Sequence, residues 1–540
     1  MNTKTLLLLC LTGLLSSCAT SYHETSLGLR RYVNINKHDK ALKLLKKSPL
    51  AEDKNSKLLY LIETGLLEHY QGNFAGSIAA FSEAKELNDR QYTSSASGKI
   101  KSVVLNDASD VYYGEKYETS LIYFYLSLNY YLQAEKELDG IKRKALLAQA
   151  RSEILGWDSY LTEMKQERAG QALFKEDLLA KTFGALVHEA QNNSKDDQIA
   201  LQLYQDARSV FFKNYNLFPS YNDSFKIFRE NFANFHKISE KEVSGKYVLA
   251  TKHSEALSEF LTTKILLLTK KIRPQDLKNQ TAKLKPSPAV LKEINQVRGQ
   301  ITFLVQEGLI TEKSAKKYVF PIDLGPQAGF GAIVGMGNHI EFELPQIEGS
   351  PKLSEGKLQA LDPSGHVVSE SPLSVVAPIA ELAEQAINEH STAIAAKTAA
   401  RITTKYIALL AASYASYNAA SREKNGGIAM LVVMAAHAGG VAAINESEKA
   451  DVRFWSTLPS NIRMGHLSVP DGIYKFRAVY SDGRITELGG QQIVKGQLAF
   501  VMNNQFLKSS SIKADTPELT SAVDKIKKIS SPYGDDRNKP

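Results

Sequence analysis

Cysteine is nearly absent: the 540-residue chain has only Cys10 and Cys18, both at its extreme start. The opening residues, read below, discard the first and block the second at sulfur, so no free thiol is expected. That excludes disulfides, a thiolate nucleophile, cysteine-ligated zinc and iron–sulfur clusters. Other signatures are missing too. No Gly-Lys-Ser/Thr triplet exists for a P-loop, and Gly329, Gly331 and Gly335 have the wrong spacing for a dinucleotide fingerprint. There is no Gly-x-Ser-x-Gly. The eleven histidines are scattered, the closest pair being His23 and His38, so no local metal cluster forms. Ser-x-x-Lys occurs several times, at Ser314, Ser354, Ser421 and Ser510 among others, without a companion Lys-Thr-Gly, as chance provides in a chain rich in both residues. The sequence therefore predicts no catalytic residue, no metal and no cofactor. A carboxylate pair assembled at long range, as in a hydrolase or transglycosylase acting on peptidoglycan, stays open as the alternative.

Charge of one sign is also lacking in any strength. Lys and Arg number 66 against 58 Asp and Glu, an excess too diffuse to argue for nucleic acid. A 43% hydrophobic and 23% charged composition describes a folded globular protein long enough for more than one core.

What is present begins with residues 1–17. Lys4 precedes an apolar run from Leu6 to Leu15, then Ser16, Ser17 and Cys18. This reads as a secretory signal, and Leu15-Ser16-Ser17-Cys18 resembles the bacterial lipoprotein signature. The resemblance implies a palmitate-bearing, triacylated Cys18, and two or more chains give stable anchoring. Ala19 in place of Asp implies the periplasmic face of the outer membrane. Residues 18–24 read as a lipidated tether.

Residues 25–271 read as helix. In LLYLIETGLLEHYQGNFAGSIAAFSEAKELN, Gly65 lies in a first helix, Gly72 and Phe74 mark a turn, and Ser77, Phe81 and Ala84 follow at helical steps. This resembles a tetratricopeptide repeat, in which small residues let two antiparallel helices approach and an aromatic plugs the gap. Next, Tyr113, Tyr117, Leu121, Phe124, Leu128 and Tyr131 define one apolar face, while Tyr112, Tyr123, Tyr125 and Tyr130 fall off it. Such a helix is either buried on two sides or lines a tyrosine-rich groove for a partner. Further helices are expected at Gln171–Glu189, Asp197–Phe212, Asn222–Phe235 and Ser254–Lys271. Residues 272–288, with prolines and basic side chains, read as a linker.

Residues 289–507 read as an α+β domain, giving an α+β multidomain fold with a tetratricopeptide-like solenoid first. Strands are expected at Ile301–Val305, Tyr318–Leu324, His339–Leu344, Leu358–Leu361, Val367–Val368, Ile462–Val469, Ile473–Tyr480 and Leu498–Val501, those at 462–469 and 473–480 joined by the Pro470-Asp471-Gly472 turn. Between them, 378–446 reads as an Ala/Gly-rich helical hairpin, with Lys397, Arg401 and Lys405 as a solvated stripe. Its second arm, Ile428–Ile444, is apolar for 17 positions apart from His437, short of a membrane span. Asp451 and Arg453 flank a turn beside Trp455, read either as a recognition corner or as an ion pair holding the turn. Residues 508–540 read as a disordered tail.

The lipoprotein signature, YYGEKYE and LNYYLQ, ITFLVQEGLI with KKYVFPI as a strand pair, and ADVRFWSTLPSNIRMGHLSVPDG together resemble a family of uncharacterised bacterial lipoproteins with a tetratricopeptide-like first half. The Asp-x-Arg-x-Trp-x-x-Leu-Pro segment is the most specific part. The resemblance implies a membrane-anchored component of an envelope assembly, with protein partners among which other lipoproteins are candidates. No nucleic acid is expected as a partner, and a homo-oligomer or channel component assembled through the helical hairpin is a further alternative.

Overall fold

Apolar residues at three- and four-residue steps close the first part of the chain into helices that pair with their sequence neighbours. The computed structural model describes residues 17–98, 110–166, 177–214, 252–296, 298–321, 330, 339–347, 349, 354–422, 426–496 and 498–505. All belong to one compact unit, Met1–Phe506, while a second, Leu507–Pro540, lies outside them. The expected helix at 222–235, the tail at 508–540 and residues 1–16 of the leader also lie outside the described residues.

The helical part comprises α1 (Ser17–Asn34), α2 (His38–Lys47), α3 (Lys57–Tyr70), α4 (Phe74–Gly98), α5 (Lys116–Lys136), α6 (Gly140–Gln166), α7 (Leu178–Glu189), α8 (Ser194–Asn214) and α9 (Lys252–Ile272). The α3–α4 hairpin is built as its small residues require. Gly72, at φ 75°, turns the chain, and a Cβ on Gly65 would lie 2.8 Å from the Phe81 ring. Ser77 donates its hydroxyl to Gly65 O at 2.6 Å. Phe74, Phe81 and Ala84 are buried.

Residues 272–288 are not an extended linker. They contain α10 (Leu277–Leu284) and lead into α11 (Pro288–Ile294). Leu277, Leu284, Val290 and Ile294 pack with Leu266 and Leu267 of α9 in a small core. Pro274 and Pro288 occupy first helical turns, where a missing N–H costs nothing, so they start helices here.

The strands are β1 (Gly299–Glu307), β2 (Lys313–Pro321), β3 (His339–Ile347), β4 (Gly356–Leu361), β5 (Val367–Pro372), β6 (Ser374–Ala377), β7 (Asn461–Val469), β8 (Gly472–Tyr480), β9 (Ile485–Ile493) and β10 (Leu498–Gln505). They form one sheet ordered β10-β1-β7-β6, another ordered β5-β4-β8-β9, and a β2-β3 ribbon. Two expected pairings are corrected. β1 and β2 do not pair, and β7 and β8 lie in different sheets, because Pro470 and Asp471 turn a corner between sheets. β10 runs parallel to β1, with Phe303 opposite Val501.

Alternation along β1 explains its place at the centre. Ile301, Phe303 and Val305 enter the core between the two sheets with Leu358, Phe476 and Ala478. Leu304 faces the other way, into the core of the helical part with Phe81, Phe124 and Trp455. Both faces of β1 are thus covered, and the hydrophobic core runs from Tyr22 to Met464 without dividing at 272–288.

Between β6 and β7 the chain leaves as α12 (Ile379–Ala420) and returns as α13 (Gly426–Ser447). Ile379, Ala380, Ala383 and Ile387 root α12 in the core. At the base, Glu448 is fully buried and accepts from Arg401 Nε at 2.9 Å and from Lys405 Nζ at 2.6 Å. Arg401 and Lys405 are therefore a clamp, and of the expected solvated stripe only Lys397 is exposed.

Candidate functional site

Of the sequence-expected partner residues, Tyr112, Tyr125, Asp451, Arg453 and Trp455 meet at the seam where residues 451–457 enter the helical part. Tyr123 stacks away from it on Tyr160, with ring centroids 5.6 Å apart, and Tyr130 lies further along α5. Arg453 forms a bidentate pair with Asp451, Nε to Oδ1 at 2.9 Å and Nη2 to Oδ2 at 2.8 Å. Its remaining donors cross the seam to Ser56 Oγ at 3.1 Å and Asp110 O at 2.9 Å, and its plane lies over the Tyr112 ring. Trp455 is fully buried, with its ring 5.6 Å from Phe81 and 5.8 Å from Tyr125. Tyr112, Tyr123 and Tyr125 are buried as well, and Tyr130 is half-buried. The tyrosine groove is corrected: helix α5 is covered on two sides, by its helical neighbours and by the sheet and seam. Asp451 and Arg453 hold the turn instead of presenting a recognition corner.

Two carboxylates missed by the sequence reading grip this segment. Glu63, fully buried on α3, accepts from Ser456 N and Ser456 Oγ, both at 2.7 Å, and from Thr457 Oγ1. Glu118 on α5 accepts from Trp455 N at 2.8 Å, Glu115 N at 2.8 Å and Tyr112 OH at 2.5 Å. Burial raises the Glu63 carboxyl above its usual range, against its hydroxyl and amide donors. Burial pushes Glu118 up to about 7, with the Tyr112 hydroxyl and backbone donors pulling the other way. Raised carboxyls are what a glycosidase acid needs, but these have no route to a substrate. Each oxygen already accepts from a neighbouring donor, Glu118 Oε2 from Tyr112 and Glu115 and the others from residues 455–457.

A second chain of polar groups runs through the same core. Tyr125 OH donates to Gln306 Oε1 at 2.7 Å, and Gln306 Nε2 donates to His69 Nε2 at 3.1 Å. His69 Nδ1–H then donates to Asn129 Oδ1 at 2.6 Å, and Asn129 Nδ2 donates to Ser77 Oγ at 2.8 Å. These roles require a neutral ring, and burial holds His69 down at about 4. Glu63, Asn129 and Gln306 each interrupt an apolar run, LLYLIETGLL, LSLNYYL and ITFLVQE, the one signal that marks them in the sequence.

An open cleft of about 710 Å³ lies between the helical part and the β1–β10 edge. Tyr131, Leu186, Leu268 and Phe500 give it apolar walls. At its base the buried Lys264 donates to Glu189 Oε2 at 2.9 Å, Glu189 Oε1 at 3.1 Å and Gln300 Oε1 at 3.1 Å. Tyr204 OH adds a donor to Glu189 at 2.9 Å. The ammonium has its bonds made by neighbours, unlike a nucleophilic lysine, which must be free and deprotonated.

No protein-family model, curated protein or solved structure matches this chain. Its chemistry is therefore read from its own residues. Among the described residues no group of three His, Cys, Asp or Glu side chains is arranged to hold a metal ion. Cys18 lies in the first turn of α1, one turn before Tyr22, whose hydroxyl donates to Phe454 O.

Proposed function

We propose that this protein is a scaffold or adaptor of a bacterial cell-envelope assembly, held by an acylated Cys18 on the periplasmic face of the outer membrane. Tetratricopeptide-like hairpins give it a rigid helical body, and the cleft beside β10 receives an extended segment of a protein partner. The observation that carries this reading is the cleft itself: Tyr131, Leu186, Leu268 and Phe500 give it apolar walls, and at its base Glu189, Gln300, Tyr204 and the buried Lys264 bond one another. Anchoring adds effective concentration: a tethered adaptor meets membrane-bound neighbours far more often than a diffusing one.

The test is in-cell crosslinking with mass spectrometry of co-purified proteins, comparing wild type with Cys18→Ala. The expected result is a defined set of envelope proteins, including lipoproteins, that disappears in the variant. An unchanged partner set without the anchor overturns the reading. So does release of peptidoglycan fragments by the purified protein if one acidic substitution abolishes it.

A further inference from the structure

The α12–α13 hairpin is anchored at its base, and beyond it several of its large aliphatic side chains are exposed among the described residues. Its charged and uncharged regions meet at one level, marked by bonds between its elements. Lys405 of α12 donates to Ser447 Oγ at 2.9 Å and to Glu448. Asn445 of α13 accepts from Glu341 N at 3.0 Å and donates to His339 O at 3.4 Å, at the end of the β2–β3 ribbon. Below this level lie Arg401, Glu448, Lys449, Glu341 and Lys317. Above it, residues 406–421 of the first arm and 427–445 of the second contain no Asp, Glu, Lys or Arg.

The lengths match a membrane. At about 1.5 Å per residue, 406–421 rise about 24 Å and 427–445 about 28 Å, against a hydrocarbon layer of about 30 Å. Charge returns at the far end with Arg422, followed in sequence by Glu423 and Lys424. The second arm, expected from sequence to fall short of a span, is long and apolar enough over Gly427–Ser447, yet only 22% of its most apolar window is buried. Ile428 is 71% exposed, Leu431 and Val432 are 64% exposed, and Ile407 on the first arm is 60% exposed. A core helix of a soluble protein would have these side chains covered.

The inside of the hairpin is arranged the other way round. Its polar pair, Ser413 Oγ and His437 Nδ1 at 2.9 Å, is buried between the arms. Phe330 packs against Tyr414 and Tyr417, with ring centroids 5.2 and 5.7 Å away. A polar pair held between the arms, aliphatic groups exposed on both arms and an exposed Ser416 hydroxyl that donates back to Ala412 O are the pattern of a helix pair in lipid, where polar and backbone bonds are satisfied within the helices. An interface with a second protein copy would need one apolar face on the hairpin, with charge on the other.

We infer that the α12–α13 hairpin inserts into the hydrocarbon layer of a lipid bilayer, with Lys405 and Asn445 at the near headgroups and Arg422 at the far ones. This contact goes beyond the lipid anchor and does not depend on it.

The experiment uses the full chain reconstituted in vesicles of phosphatidylethanolamine with phosphatidylglycerol, labelled with a polarity-sensitive dye at Leu431→Cys. Leu138→Cys, at a position 99% exposed on the helical part, is the reference. Any label reaching Cys18 is common to both and cancels. Spin labels on the lipid acyl chains are expected to quench the dye at 431 several-fold more than at 138. Adding Val432→Lys is expected to lower that quenching several-fold with unchanged far-UV circular dichroism, because a lysine inside hydrocarbon is costly. Equal quenching at the two positions overturns the inference. So does a dye shift at 431 that follows protein concentration and ignores the lipid quenchers, which would assign the surface to a second copy.

Discussion

At the residue scale, the seam depends on groups whose charge state is set by burial. The folded-state pKa of Glu118 is raised from 4.5 to about 7, so the folded protein binds a proton that the unfolded chain releases. Its contribution is fully present below pH 4.5 and is lost as pH rises through 7. At about 1.4 kcal/mol per unit, the advantage of wild type over Glu118→Gln should shrink by roughly 3 kcal/mol across that window in urea titrations. His69 has the opposite sign. Its pKa falls from 6.5 to about 4, so its contribution is present above pH 6.5 and is lost as pH falls through 4. The advantage of wild type over His69→Gln should therefore shrink on acidification. Arg453→Lys keeps the charge but cannot form the fork to Asp451 while reaching Ser56 and Asp110. A loss of about 2 kcal/mol is expected by chemical denaturation.

At the element scale, close approach decides. A methyl on Gly65 would meet the Phe81 ring at 2.8 Å, and that buried ring cannot move aside. Gly65→Ala should cost about 1–3 kcal/mol, and adding Phe81→Leu should recover part of it, a coupling read from a double-mutant cycle. Glu448→Gln removes the buried carboxylate that Arg401 and Lys405 share at the hairpin base, a loss of about 3–5 kcal/mol. The α3–α4 hairpin was legible in the sequence because glycine, aromatic and small residues recur at helical spacing, and most strands were legible from their alternation. Pairing was not. β1 reads as one apolar run whichever strands flank it, so its parallel bond to β10 left no local trace. The seam was legible only as a motif: Asp451, Arg453 and Trp455 stood out, while Glu63 and Glu118, hundreds of residues earlier, carried no sign of what they would hold. Burial of α5 was one of two readings that its all-round aromatics allowed, since periodicity cannot say what covers a second face.

At the scale of the whole molecule, the helical part and the sheets share a core through β1, Trp455 and the Gln306–His69–Asn129 chain. They should melt together. The two tryptophans, Trp157 within the helices and Trp455 at the seam, allow a check: fluorescence and far-UV circular dichroism should report one coincident unfolding transition. Two separated transitions would mean that the seam does not couple the halves.

The bond from Tyr22 to Phe454 has a consequence for biogenesis. Its partners stand 432 positions apart, so the leading end of the polypeptide has to wait, with Glu63 lacking its Ser456 and Thr457 donors and Glu118 lacking Trp455 N, until nearly all of the remainder has emerged. Closing so wide a loop is slow, and the exposed intermediate is prone to aggregate. A product terminated before residue 450 should consequently be cleared by proteases instead of accumulating, and newly made full-length molecules should need a holding chaperone until their last strands arrive.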